Sequence, residues 1–176
     1  KATIPFRFEP PDADAKASDQ LNSQQLALAR SLWLGAAQEA PADSSNRFDG
    51  EGNAIKLGEL LFNDPGLSRD GNISCMTCHR PEIAFTDGLQ TSMGSKTLSR
   101  NSPSVKGLSR ADWFYWDSRR DSLWAQALTP IETPGEMDNN RAAVVTYVLS
   151  RVEYRAALQR LQIDVSSADG LPQSAG

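Results

Sequence analysis

The 176-residue sequence predicts an all-α domain with long loops and few or no strands. Three observations lead there. Apolar residues recur at helical spacing in several short segments. No two alternating runs face each other across a hairpin turn. The stretch from Arg80 to Arg119 carries Pro, Gly, Ser and Thr throughout, with little periodicity. A structureless stretch that long inside a compact domain is commonly functional.

In chain order, residues 1–20 read as an extended N-terminal arm rich in Pro, Asp and Ala, and the domain itself is expected over residues 21–163. Asn22 or Ser23 caps a first helix to about Leu34, ended by Gly35, with Leu26, Ala29, Leu32 and Trp33 on one face. A second helix is expected from Asn53 to Phe62. Ile55, Leu57, Leu60, Leu61 and Phe62 make it mostly buried, and Asn63-Asp64-Pro65-Gly66 stops it. Ser74 opens a short helix. Asp121 or Ser122 caps a helix through Leu128 that Thr129-Pro130 ends. Asp138 or Asn139 caps another to about Leu149, and Glu153 to Ile163 forms the last. Residues 164–176 read as a polar tail or linker.

The composition is that of a globular chain, with 23% charged residues. A net charge of −4 gives nucleic acid no reason to bind. No apolar run reaches the length of a membrane span, and no signal peptide is visible at Lys1, so the chain is expected to start after processing or at an artificial boundary.

The chemistry concentrates in Cys75-Met76-Thr77-Cys78-His79, which holds both cysteines and the only histidine. Two thiols three positions apart with an imidazole after the second match the attachment pattern of a c-type haem. Each thiol adds to one vinyl group, and His79 supplies the proximal iron ligand. A structural zinc site would need a second Cys/His pair, which the sequence lacks. A thioredoxin-like pair would follow a hydrophobic strand, whereas Asp70-Gly71-Asn72-Ile73-Ser74 is a turn. Such haems are attached outside the cytoplasm, so the motif implies a periplasmic location.

Further motifs flank this one. Leu57-Gly58-Glu59-Leu60-Leu61-Phe62-Asn63-Asp64, Leu67-Ser68 and Ile73-Ser74 precede it. Phe85-Thr86-Asp87-Gly88, Arg100-Asn101-Ser102-Pro103, Phe114-Tyr115-Trp116-Asp117-Ser118-Arg119, Gln126-Ala127-Leu128-Thr129-Pro130-Ile131-Glu132 and Pro134-Gly135-Glu136-Met137 follow it. In this order, over about residues 20–160, they resemble the N-terminal, peroxidatic haem domain of the bacterial dihaem cytochrome c peroxidase and MauG superfamily. Arg30-Ser31-Leu32-Trp33-Leu34 and Asp121-Ser122-Leu123-Trp124-Ala125-Gln126 are closer to the MauG-like branch. That branch includes enzymes that oxidise tryptophan residues on partner proteins.

The resemblance implies a cytochrome c-like domain whose haem reacts with hydrogen peroxide on the face opposite His79. It implies Glu136 as the acid/base that moves a proton between the peroxide oxygens, Gln126 as a distal-pocket residue and Pro130 as an inert wall. It implies Trp116 as an electron relay toward a second haem, and Asn101 as a ligand of a calcium ion between the two halves. On residue type alone Glu136 reads as a solvated loop acid, Gln126 as a surface helix residue, Asn101 as a turn residue, and Trp113, Phe114, Tyr115 and Trp116 as core.

Two departures sharpen the expectation. Thr91-Ser92-Met93-Gly94 is followed by Ser95 where the reductively activated peroxidases carry a distal histidine. The iron is therefore expected to be five-coordinate or weakly water-ligated, with Met93 or Met137 as the competing sixth ligand. The second haem motif is absent, so the chain reads as the N-terminal half, its second haem domain lying elsewhere. The expected partners are hydrogen peroxide, that second domain or subunit, and an electron-donor protein or a protein substrate oxidised at an aromatic residue. The competing functions are a non-enzymatic electron-transfer cytochrome c with a methionine ligand and a haem-bearing sensing or docking module.

Overall fold

The computed structural model describes residues 21–31, 41–115 and 117–166. The chain divides into two compact units, residues 1–39 and 40–176. In the first, α1 spans Ser23–Ser31. Asn22 accepts from the Gln25 amide at 2.9 Å, and the Gln25 side chain accepts from the Asn22 amide at 2.9 Å. This reciprocal cap satisfies two amides that a helix start leaves open. Leu32, Trp33, Leu34 and Gly35 lie outside the described residues, as do residues 1–20 and 167–176.

The second unit carries α2 (Gly52–Asn63), α3 (Cys75–Cys78), α4 (Leu123–Glu132), α5 (Arg141–Ser150) and α6 (Val152–Arg160). Among the described residues there is no strand, only three isolated bridges: Arg80 with Thr86, Met93 with Thr97, and Phe114 with Arg120. The expected all-α class with long loops holds. The loop region gains short 3₁₀ turns at Pro81–Ile83 and Leu108–Arg110.

Two apolar clusters hold this unit. Leu57 of α2 packs with Tyr154, Ala157 and Leu161 on and after α6. Leu67, Ile73 and Met137 form the second cluster, beneath the loops. Leu61, Tyr147 and Val148 touch both, so one helical wall supports the loop region. Asp64 fastens the corner: its carboxylate accepts from the Tyr147 and Tyr154 hydroxyls and from the Gly66 amide.

Three expectations change. Helix α2 is buried on one side only: Ile55 is 62% and Leu60 51% exposed, because its packing partner α6 covers the Ala54–Leu57–Leu61 side. Helix α4 runs four residues past Leu128, through Pro130. A proline removes one amide and disfavours helix in the residue before it. Here the lost support is replaced around the last turn, where Thr133 N–H donates to the Thr129 carbonyl and Met137 N–H to that of Pro130. Helix α5 starts later than expected, because the cap is Asn140, whose side chain accepts from the Ala143 amide at 2.9 Å.

Candidate functional site

Helix α3 is a single turn, and its entry is locally encoded. Thr77 Oγ1 accepts from the Ser74 amide at 3.0 Å, and the Thr77 amide donates to the Ser74 carbonyl at 3.1 Å. Cys75 and Cys78 therefore lie one turn apart, half-buried and not joined in a disulfide. Burial raises the Cys75 thiol pKa above its usual value. The Cys78 thiol is raised first by burial, then by the Asp87, Glu136 and Cys75 charges. Both carboxylates thus lie within electrostatic reach of the attachment turn.

His79 ends the helix. Its Nδ1 lies 3.1 Å from the Phe85 carbonyl and 3.2 Å from Ser102 Oγ. A carbonyl only accepts, so Nδ1 carries the proton and Nε2 keeps its lone pair for a metal. The Phe85 carbonyl is aimed by a strained turn. Ala84 and Phe85 both have φ of +59°, in the left-handed region that costs residues with a side chain about 1–2 kcal/mol each. The turn is closed by the Phe85 amide on the Arg80 carbonyl at 2.8 Å and the Arg80 amide on that of Thr86 at 3.1 Å. Ser102, buried in the loop region, is a positioning residue that side-chain chemistry alone did not single out, although its segment was part of the resemblance. Two thiols one turn apart, followed by an imidazole whose Nε2 keeps its lone pair, fit a c-type haem: Cys75 and Cys78 would hold it and His79 would ligate its iron.

Glu136 lies on a short segment clamped from two sides. On one side the Ser95 amide donates to its carbonyl at 2.9 Å and the Lys96 amide to the Gly135 carbonyl at 3.1 Å. Gly94 lies so close that a Cβ there would fall 2.8 Å from Glu136 Cα and collide with the Gly135 carbonyl. Buried Gly135 itself sits at φ of +92°, which a residue with a side chain rarely adopts. On the other side the Arg69 amide donates to the Met137 carbonyl at 3.0 Å, Arg69 pairs with Asp138 at 2.6 Å, and Asn139 donates to the Leu67 carbonyl at 2.9 Å. The Glu136 carboxyl is half-buried. Burial raises its pKa above the usual glutamate value, and the Arg119 charge opposes that rise.

The loop that clamps Glu136 also meets the attachment turn, since Met93 O is 3.9 Å from Cys78 Sγ. Helix α4 supplies the third wall. Gln126 and Pro130 stand one turn apart on it. Gln126 Nε2 donates to the Tyr115 hydroxyl at 3.3 Å, and the Arg119 guanidinium lies 3.5 Å over the Tyr115 ring. The Pro130 carbonyl holds the Met137 amide at 3.1 Å, directly after Glu136. Contacts and charges thus connect Gln126, Tyr115, Arg119, Glu136, Met93 and Cys78. An open cleft of about 360 Å³, lined by Trp113, Arg119, Arg120 and Trp124 among others, adjoins the Arg119 side.

Two of the expected ligand residues sit apart from this chain of contacts. Met137 is 4% exposed and packs with Leu67 and Ile73 in the second apolar cluster. Asn101 is exposed, beside buried Ser102, and no group of three His, Cys, Asp or Glu side chains suited to a metal occurs among the described residues. Trp116 lies outside the described residues.

A family model described as di-haem cytochrome c peroxidase matches residues 52–168. The methylamine utilization protein MauG of Methylorubrum extorquens is 38% identical over 133 residues, covering 74% of this chain and 37% of that protein. The cytochrome c551 peroxidase of Nitrosomonas europaea is 36% identical over 108 residues, covering 60% and 32% respectively. Among solved structures, a MauG-like protein associated with microbial copper homeostasis superposes with a TM-score of 0.63 at 29% identity, over 77% of this chain and 43% of that one. The diheme peroxidase BthA of Burkholderia thailandensis gives 0.56 at 27% identity, over 73% and 35%. The chain spans about a third of the length of these two curated relatives.

Proposed function

Because the chain belongs to the di-haem cytochrome c peroxidase family, we propose that it is the peroxide-reacting haem domain of a two-haem oxidoreductase. The observation that carries this reading is the clamped, half-buried Glu136 within electrostatic reach of Cys78, on the same loop wall as the haem-attachment turn. Bound at Cys75, Cys78 and His79, the haem supplies a redox-active iron that takes up the two oxidising equivalents released when a peroxide O–O bond breaks.

The side chains around it do the proton work. His79, held by the Phe85 carbonyl and Ser102, is oriented as a proximal ligand by its Nδ1–H bond. The Glu136 carboxylate removes a proton from one peroxide oxygen and returns it to the other, so that the departing oxygen leaves as water. Its raised pKa makes the carboxylate a stronger base for the first half of that transfer, taking the proton. Gln126, fixed to Tyr115, orients the peroxide by hydrogen bonding, and the Pro130 ring offers no donor beside it.

Trp116 is the route by which oxidising equivalents leave toward a second haem domain, and Asn101 a ligand for calcium at the junction with it. The final reductant is an electron-donor protein or an aromatic residue of a protein substrate, and the lack of a distal histidine favours the second. The location is periplasmic, where such haems are attached. No helix among the described residues is long and apolar enough to cross a membrane.

The optical spectrum of the haem-loaded protein tests the reading. A high-spin ferric spectrum that changes on addition of stoichiometric peroxide is expected. A low-spin, methionine-ligated spectrum inert to peroxide would instead support an electron-transfer cytochrome, with exposed Met93 as the ligand.

A further inference from the structure

Away from the site, the Asp64 corner carries chemistry that packing alone does not need. The chain has three tyrosines, and two of them share one carboxylate. The Tyr147 hydroxyl lies 3.1 and 3.0 Å from the two Asp64 carboxylate oxygens, and the Tyr154 hydroxyl donates to Oδ2. Their ring centroids are 6.4 Å apart. Tyr154 is 5% exposed and Tyr147 half-buried. The fit is close, since a Cβ at Gly66 would collide with the Tyr147 hydroxyl. Two routes of contact lead from this corner to the attachment turn. Phe62, two residues before Asp64, sets its ring 6.5 Å from that of His79. Tyr147 packs on the cluster of Leu67, Ile73 and Met137, and Ile73 is two residues before Cys75. Two residues of chain span at most about 7 Å.

We propose that Tyr147 and Tyr154, on their shared Asp64 carboxylate, form a one-electron oxidation site that takes up peroxide-derived oxidising equivalents when no donor collects them. The oxidant is hydrogen peroxide, acting at the haem. One electron leaves a phenol for the oxidised haem, and the phenol O–H proton moves along the existing hydrogen bond to Asp64. The products are a neutral phenoxyl radical and a protonated carboxyl. An electron from the donor protein and the return of that proton restore the pair. The electrostatics favour this place. Before oxidation the two phenols and the carboxylate hold one negative charge beside apolar side chains, and afterwards they hold none, so a charge is removed there instead of created. Burial, and then the bond to Asp64, raise the Tyr154 pKa, so its proton stays until an electron leaves. Tyr115 is the opposite case. The Arg119 guanidinium lies 3.5 Å over its ring and opposes loss of an electron, and its hydroxyl meets the Gln126 amide instead of a carboxylate. A cation also stands over Tyr147, but Arg151 is farther, at 5.6 Å, and pairs with Glu153 at 3.1 Å.

This inference rests on the proposed reaction with peroxide, and its test separates the two. The haem-loaded protein is mixed with stoichiometric hydrogen peroxide, without donor, and frozen for electron paramagnetic resonance while the optical spectrum of the haem is followed in parallel. A tyrosyl radical is expected, identified by the collapse of its hyperfine pattern when ring-deuterated tyrosine is incorporated. The double variant Tyr147→Phe with Tyr154→Phe keeps both rings. It is expected to lose the signal while the haem spectrum still responds to peroxide. Should it not fold, Asp64→Asn keeps both phenols and withdraws the proton acceptor. That change is expected to lower the signal about tenfold, the weight of one hydrogen bond to a charged group. A haem spectrum that responds to peroxide with no tyrosyl signal overturns the oxidation site and leaves the proposed function standing. A signal that survives these variants does the same, since it places the radical on Tyr115. A haem spectrum that does not respond to peroxide removes the proposed function, and this inference with it.

Discussion

Around Leu57, Tyr154, Ala157 and Leu161 the domain is held by side chains that any helix packing could use. Around Cys75–His79 it is held by backbone: amides on carbonyls, left-handed residues at Ala84, Phe85, Tyr115 and Ser118, and a glycine pressed against Gly135 and Glu136. The first region is stabilised by area removed from water and tolerates changes that conserve volume. The second stores local strain and spends its hydrogen bonds on aiming particular groups, as sites commonly do. The division predicts that damage to the helical wall lowers stability before reactivity, and that damage to the loop wall does the reverse.

The largest effect on the wall should come at its corner. Asp64→Ala removes the acceptor for Tyr147, Tyr154 and the Gly66 amide together, and is expected to cost about 3 kcal/mol in denaturant unfolding. The folded fraction should keep its haem spectrum. A variant as stable as the parent would show that the tyrosines are held by packing alone. On the loop side, Gly94→Ala pushes against Glu136 and its neighbour. The peroxide reaction should slow about a hundredfold, the penalty for misplacing a reacting group by about 1 Å. A larger loss of stability than of rate would erase the proposed distinction. The smallest effect belongs to Ser102→Ala, which removes one of two contacts to His79 Nδ1 and should cost about 1 kcal/mol, read as a small change in haem potential with the proximal ligand retained.

The same division explains what could be read in advance. Leu57 and Leu61 announce a helix by period, and Ser74 announces the turn that carries the thiols, because caps and apolar faces are local. Pro130 marks a helix end, yet the helix continues past it, with the Met137 amide on the Pro130 carbonyl and the Thr133 amide on that of Thr129. Ile55 and Leu60 are exposed although the pattern predicts burial, because periodicity gives an apolar face but not the width of its partner. The contact of Ser102 with His79 joins residues 23 apart in sequence. The clamp of Gly94 on Glu136 likewise comes from the loops' path, which no period encodes. Gln126, Pro130 and Glu136 entered through the resemblance, since by type alone each is ordinary.

The central claim is that Glu136 is the acid/base of a peroxide-reacting haem face, and rapid-mixing kinetics of the haem-loaded Glu136→Gln variant against pH test it most directly. In the parent, burial raises the Glu136 pKa, so the carboxylate form is lost at a pH above the usual glutamate range, and the peroxide rate should fall on acidification through that point. The stability effect has the opposite sense. Protonated Glu136 contributes stability that is full below the unfolded pKa and lost as pH rises through the raised one, so the variant should gain on the parent toward alkaline pH. The account predicts that Glu136→Gln lowers the peroxide rate at least a hundredfold, on the order of a general acid/base contribution. It also predicts that the acid limb of the profile disappears while the resting spectrum is kept. A parent-like rate with the acid limb intact would contradict it.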